Sequence, residues 1–266
     1  FLFTRATSQS PCLHETLALL SASGACLATT ETECRGRDNH EKLAERVSHS
    51  FTESEIIAMQ ILVTGKQMKQ LDQSTIKQMG IPSLVLMERA ALAVFDCLKQ
   101  HFPLKKTLVV CGSGNNGADG VAVARLLHLA GYPVDLYLAG NHTSFTEEMN
   151  IQWQAAKNYQ VSIVNNCRFS EYTTIVDALF GVGLSRELSG KYQALAEKIN
   201  ASGIPVLAVD IPSGIHAGTG QVMGTAIRAT ETVTFAYRKL GISLCRTYSG
   251  ERCWHLRRIR RRFFTG

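Results

Sequence analysis

No two of the eight cysteines stand in a C-x-x-C spacing, so neither a zinc-ribbon nor a thioredoxin-type reading finds support. No apolar run approaches the roughly 18 residues that a membrane helix requires. Internal repeats and coiled-coil heptads are missing too, which excludes solenoids and long fibrous helices. What remains is a chain of 266 residues, 45% hydrophobic and 19% charged, long enough to bury a sizeable core. Cys97, Cys111 and Cys167 sit in apolar or turn contexts and are expected to be reduced, which points to the cytoplasm.

Two further absences mark boundaries. Methionine does not occur before Met59, and lysine does not occur from Cys245 onward. Residues 1–58 are rich in Ser, Thr and Glu without a sustained period, and are expected to be a non-native or disordered extension. A natural start at Met59 is the expectation, which N-terminal sequencing would check. Residues 245–266 hold seven arginines against one glutamate, which accounts for the whole net charge of +6. A basic stripe for nucleic acid belongs on a folded domain, whereas this one is confined to a tail. The folded domain is therefore expected over 59–244.

Within that domain strands and helices alternate. Thr64 and Gln67 are spaced as a capping box for a first helix through Met79, ended by Gly80-Ile81-Pro82. Ser83 is expected to cap a second helix carrying Leu84, Met87, Ala91, Phe95 and Leu98, and the methionines of both helices are expected in the core. Short apolar strands are predicted at 108–110, 134–138, 161–164, 173–176, 206–209 and 230–236, the last of them the final recognisable strand. Helices are predicted from Val121, over 145–158 with Ser144 and Glu147 as a capping box, and over 192–199. Such alternation argues a mostly parallel sheet covered on both faces, in an α/β/α sandwich.

The chain is organised around Thr107–Arg125, TLVVCGSGNNGADGVAVAR. A strand, a glycine-rich turn and a helix offer free backbone N–H groups to an anion such as a pyrophosphate. GSGNNG satisfies G-x-G-x-x-G, yet the acid that holds a ribose at the end of the second strand is missing; Asp135 lies inside that strand, which runs out into Ala139-Gly140. Two more strands run into aspartates, Asp177 and Asp210, the latter followed by Ile211-Pro212-Ser213-Gly214. In a parallel sheet the carboxyl ends of strands share one edge, so Asn115, Asn116, Asp119, Asp177, Asp210 and Ser213 are expected to converge. Read alone, either aspartate is equally well a helix N-cap. Together these oxygens suit a hard cation.

GSGNNGADG, VDALFGVGL and VDIPSG, in this order and spacing, resemble the NAD(P)H-hydrate epimerase family over about Met59 to Leu244. The resemblance implies a Rossmann-like sheet flanked by two N-terminal helices, often in a homodimer. It implies interconversion of the R and S forms of NADHX and NADPHX, the hydrated nicotinamide cofactors, with no part for nucleic acid or membrane. Asn115, Asn116, Gly117, Ala118 and Asp119 would hold the substrate's phosphates and ribose. Gly181, Val182, Gly183, Leu184, Ser185, Arg186, Glu187 and Asp210 would complete the substrate pocket. Asn116, Asp177 and Ser213 would ligate a potassium ion. Asp177, then Asp210, is the expected acid–base residue.

The sequence departs from the family at two points. Ala118 stands where glycine is more frequent, and residues 245–266 show neither the family's final strand pattern nor a following dehydratase domain. A shifted frame or a truncation is the expectation, to be tested by resequencing the gene. The rival readings are an NAD(P)-dependent oxidoreductase, opposed by the missing ribose acid, and a non-catalytic binding module, opposed by the retained Asn116 and Asp177.

Overall fold

The computed structural model describes residues 62–244 and 259–262; the expected extension 1–58, and the tail apart from its one strand, lie outside them. Seven strands form one parallel sheet: β1 (Thr107–Cys111), β2 (Val134–Leu138), β3 (Ser162–Val164), β4 (Thr174–Ala178), β5 (Val206–Val209), β6 (Glu231–Phe235) and β8 (Ile259–Arg262). Their order is β3-β2-β1-β4-β5-β6-β8, with the two-residue β7 (Arg238–Lys239) outside it. The expectation that residues 230–236 form the last strand is corrected, because the backbone of β8 pairs in parallel with β6.

The order of strands reverses about β1, since β2 and β3 lie to one side and β4, β5 and β6 to the other. The crevice of a doubly wound sheet opens at this point, outside the carboxyl ends of β1 and β4. The alternation of β1 shows why both faces must be covered. Val109 and Cys111 pack into a core with helices α2 (Ser83–His101), α3 (Asn115–Leu129) and α4 (Glu147–Asn158). Leu108 and Val110 face the opposite core, which includes Ala196 and Ile199 of α5 (Gly190–Ala201). Continuous burial along the strand produces the apolar run seen in the sequence. The three-layer α/β/α architecture is thus as expected.

Helix α1 (Gly65–Lys77) starts at the expected capping box, with Thr64 N donating to Gln67 Oε1 at 2.9 Å and Gln67 N donating to Thr64 Oγ1 at 3.3 Å. Three local expectations are corrected. Pro82 takes the cap position of α2, leaving Ser83 as its first helical residue without a side-chain cap. Thr146, not Ser144, caps α4 by accepting from Met149 N at 3.3 Å. Met68 and Met87 are core residues, but Met79 is 73% exposed beyond the end of α1.

The largest difference concerns the central motif. α3 begins at Asn115, with Gly114 as cap, so Asn115 to Gly120 are the first helical residues and not a turn. Glycine is needed because this helix starts pressed against the strand it leaves. A Cβ on Gly117 would lie 2.1 Å from the Gly112 carbonyl oxygen, and one on Gly120 would lie 2.4 Å from Ala178 Cβ. Ala118 points the other way, fully buried in the core with α2 and α4, so its methyl meets no substrate loop.

Gly117→Ala is expected to destabilise the protein by about 2 kcal/mol, since the clash of the new Cβ with the Gly112 carbonyl outweighs the roughly 1 kcal/mol gain in helix propensity. The denaturant midpoint checks this; an unchanged midpoint would contradict the close approach.

Candidate active site

The site assembles at the carboxyl edge from four chain segments. First comes the start of α3, which has no side-chain cap and no acid in its first turn. Its leading N–H groups and helix dipole are therefore available to an anion. The adjoining turn is pinned to the end of β2: Ser113 Oγ donates to Asn141 O at 3.0 Å, and Asn141 N donates back at 2.7 Å. A Cβ on Gly140 would lie 2.1 Å from Ser113 Oγ. The place where a dinucleotide site keeps its ribose acid is thus filled by Ser113.

Asp177 ends the second segment. It lies on β4 beside Val110 of β1 and Ala208 of β5, with no exposed surface. Its Oδ1 accepts from Ser213 Oγ at 2.6 Å and Leu179 N at 3.3 Å, and its Oδ2 accepts from Ser213 N at 2.8 Å. Burial pushes the carboxyl up to about 6 against these three bonds, which lower it. Asp177 lies within β4 and Asp210 follows β5, and neither starts a helix, so the N-cap reading does not apply.

Ser213, in the third segment, also accepts from Phe180 N at 2.9 Å, which ties the loop after β5 to the loop after β4. Asn116 completes this cluster: its Nδ2 donates to Val209 O at 2.8 Å, and Gly181 packs against its amide. The amide oxygen of Asn116 is buried without a hydrogen-bond partner. An orphaned buried amide oxygen, at the same strand ends as a carboxylate and a hydroxyl, belongs to the oxygen donors that a hard cation accepts.

The fourth segment was not foreseen. Lys239 of β7, 1% exposed, forms an ion pair with Asp210 and donates to Thr234 Oγ1 and Phe235 O, both at 3.1 Å. Asp210 has a left-handed backbone, φ 69°. Desolvation, followed by the charges of Asp210 and Asp72, holds the half-buried Asp119 well above the usual carboxylate range. Asp72 of α1 is likewise pushed up to about 6, mainly by burial. Three carboxyls thus share one ammonium. Asp72 follows Met68 by four residues on the inward stripe of α1, and Lys239 interrupts an apolar stretch. Polar residues at buried periodic positions are the signal that marks them.

The loop from Gly181 to Glu187 behaves as two parts. Gly181 and Val182 are half-buried, with Val182 O only 3.0 Å from where a Cβ on Gly65 would stand, so α1 borders it. Gly183, Ser185, Arg186 and Glu187 are exposed, while Leu184 is an anchor in the core on the α5 side. Asn115 is exposed at the start of α3, and Gly117 and Ala118 are buried behind it.

Comparison with known proteins was made on this basis. The family described as YjeF-related protein N-terminus matches residues 83–241. A protein of Oenococcus oeni named NAD(P)H-hydrate epimerase is 50% identical over 185 residues, covering 68% of this chain and 88% of its own. One of the same name from Weissella koreensis is 50% identical over 182 residues, covering 68% and 82%. The crystal structure of the yeast protein YNL200c superposes with a TM-score of 0.62 at 25% identity, covering 68% of this chain and 83% of that one.

The raised carboxyl of Asp72 has a measurable consequence. Folded, it keeps its proton up to about pH 6; unfolded, it releases it near the ordinary 3.8. The folded state therefore binds the extra proton between those values, and stability falls as pH rises through that window. Asp72→Asn is expected to reduce that fall by roughly 1–2 kcal/mol, read from unfolding midpoints at pH 4 and pH 7. An identical pH slope in the variant would contradict the buried placement.

Proposed function

This chain belongs to the NAD(P)H-hydrate epimerase family and interconverts the R and S forms of NADHX and NADPHX; from that premise we propose how its residues divide the work. The observation that supports the reading is the meeting, at one sheet edge, of an uncapped helix start with carboxyls from two adjacent strands. The start of α3 receives the diphosphate through its free N–H groups, with Asn115 at the exposed corner. The loop from Gly181 to Glu187 borders the nicotinamide ring, and Asp119 faces the ribose.

The inverted carbon bears a hydroxyl beside a ring nitrogen. Protonation of that hydroxyl lets the C–O bond break as the nitrogen lone pair forms a C=N bond. Water then adds to the opposite face and returns its proton, so no redox partner is needed. We assign the proton transfers to Asp210, reversing the order expected from sequence. Asp177 has both oxygens engaged and no exposed surface, whereas Asp210 lies at the rim, paired with Lys239. Asp177 instead fixes Ser213 and the two loops.

Asn116, Asp177 and Ser213 would hold a potassium ion, as the orphaned Asn116 oxygen supports. Such an ion supplies positive charge near the diphosphate. The unbridged cysteines Cys111 and Cys167 support a reducing, cytoplasmic setting, and no helix among the described residues is long and apolar enough to cross a membrane. Exposed Val85 and Leu92 on α2 support a homodimer.

Asp210→Asn is expected to slow equilibration of a single NADHX epimer by about 10²-fold or more, followed by chromatography. Wild-type rate in this variant would overturn the assignment. Replacing potassium by choline is expected to lower the melting temperature of wild type but not of Asn116→Leu, because binding to the folded state alone stabilises it. Equal responses would remove the cation from these residues.

A further inference from the structure

A second cluster of ligand-type side chains lies away from this rim. Cys97 and His101 stand four residues apart on the last turns of α2, and Glu231 opens β6 beneath them. Asp210 meets the other end of β6, at Thr234 and Phe235, so strand separates the two places. Cys97 Sγ lies 3.8 Å from His101 Nδ1 and 3.3 Å from Glu231 Oε2, and His101 Nδ1 lies 3.2 Å from Glu231 Oε2. Cys97 and Glu231 are buried, and His101 is half-buried.

We propose that Cys97, His101 and Glu231 form a binding site for a borderline transition-metal dication of the zinc type. Distance is the first argument. Three atoms separated by 3.8, 3.3 and 3.2 Å share a central point about 2.0 Å from each, matching Zn–N and Zn–O bonds, and a small displacement out of their plane and away from Cys97 Sγ reaches the Zn–S length while keeping the other two. Ligand type is the second, since thiolate, imidazole and carboxylate together suit zinc better than magnesium or calcium. Charge is the third. Binding expels the Cys97 thiol proton to solvent and uses the Nδ1 lone pair of neutral His101, so the dication meets one thiolate and one carboxylate and the buried site is neutral. The carboxyl end of α2 adds a dipole that favours a cation. Zinc held by three protein ligands has one further coordination position. Without metal, the same groups hydrogen-bond to one another around Glu231.

The test uses the full chain, freed of metal by chelator under reducing conditions and titrated with zinc or cobalt ions. One zinc per chain should bind to wild type about 100-fold or more tightly than to Cys97→Ser or His101→Gln, because each variant loses a direct ligand. Cobalt in wild type should give a thiolate charge-transfer band and tetrahedral ligand-field bands, both displaced by zinc. Uptake by the variants equal to wild type overturns the site. A wild-type cobalt spectrum without the thiolate band overturns it as well, independently of how any variant folds.

Discussion

The arrangement depends on one buried carboxylate. Asp177 is removed from water at the end of an interior strand, where an unpartnered charge would be severely penalised. Three donors offset that cost, two of them from Ser213, which lies after the neighbouring strand. Ser213 then holds Phe180 by its amide, so both loops leaving β4 and β5 are fixed by one side chain. Asn116 brings α3 into the same cluster through Val209. If this centre were loosened, the start of α3 and the loops after β4 and β5 would lose their common reference.

Much of this was legible in the sequence because the relevant forces are local or periodic. The apolar runs of β1, β4 and β5 announce strands covered on both faces, and a parallel sheet puts their ends on one edge. Asp177, Asp210 and Asn116 could therefore be grouped before any coordinates. The onset of α3 was not legible: glycine and asparagine favour turns in isolation, and only the packing of Gly117 on Gly112 and of Gly120 on Ala178 shows why a helix tolerates them. The caps at Pro82 and Thr146 shifted by one or two residues, within the reach of any reading from local preference.

Asp72 and Lys239 escaped because each lies far along the chain from the motifs. A lysine buried to 1% is explicable only once its partners are seen. Cys97 and His101 escaped for a similar reason. Their spacing of four is ordinary on a helix, and the third member, Glu231, is supplied by a distant strand. Search for paired cysteines could not find a group that uses one cysteine.

The left-handed backbone at Asp210 narrows the alphabet open to that position. Side chains with a branched or bulky Cβ are strained at φ 69°, whereas glycine, asparagine and aspartate enter that region at small cost. Among those three only aspartate can ionise. Drift at this position is thus confined by conformation before chemistry exerts any selection, and a lineage that kept the main-chain shape while abandoning the reaction would be expected to settle on asparagine or glycine.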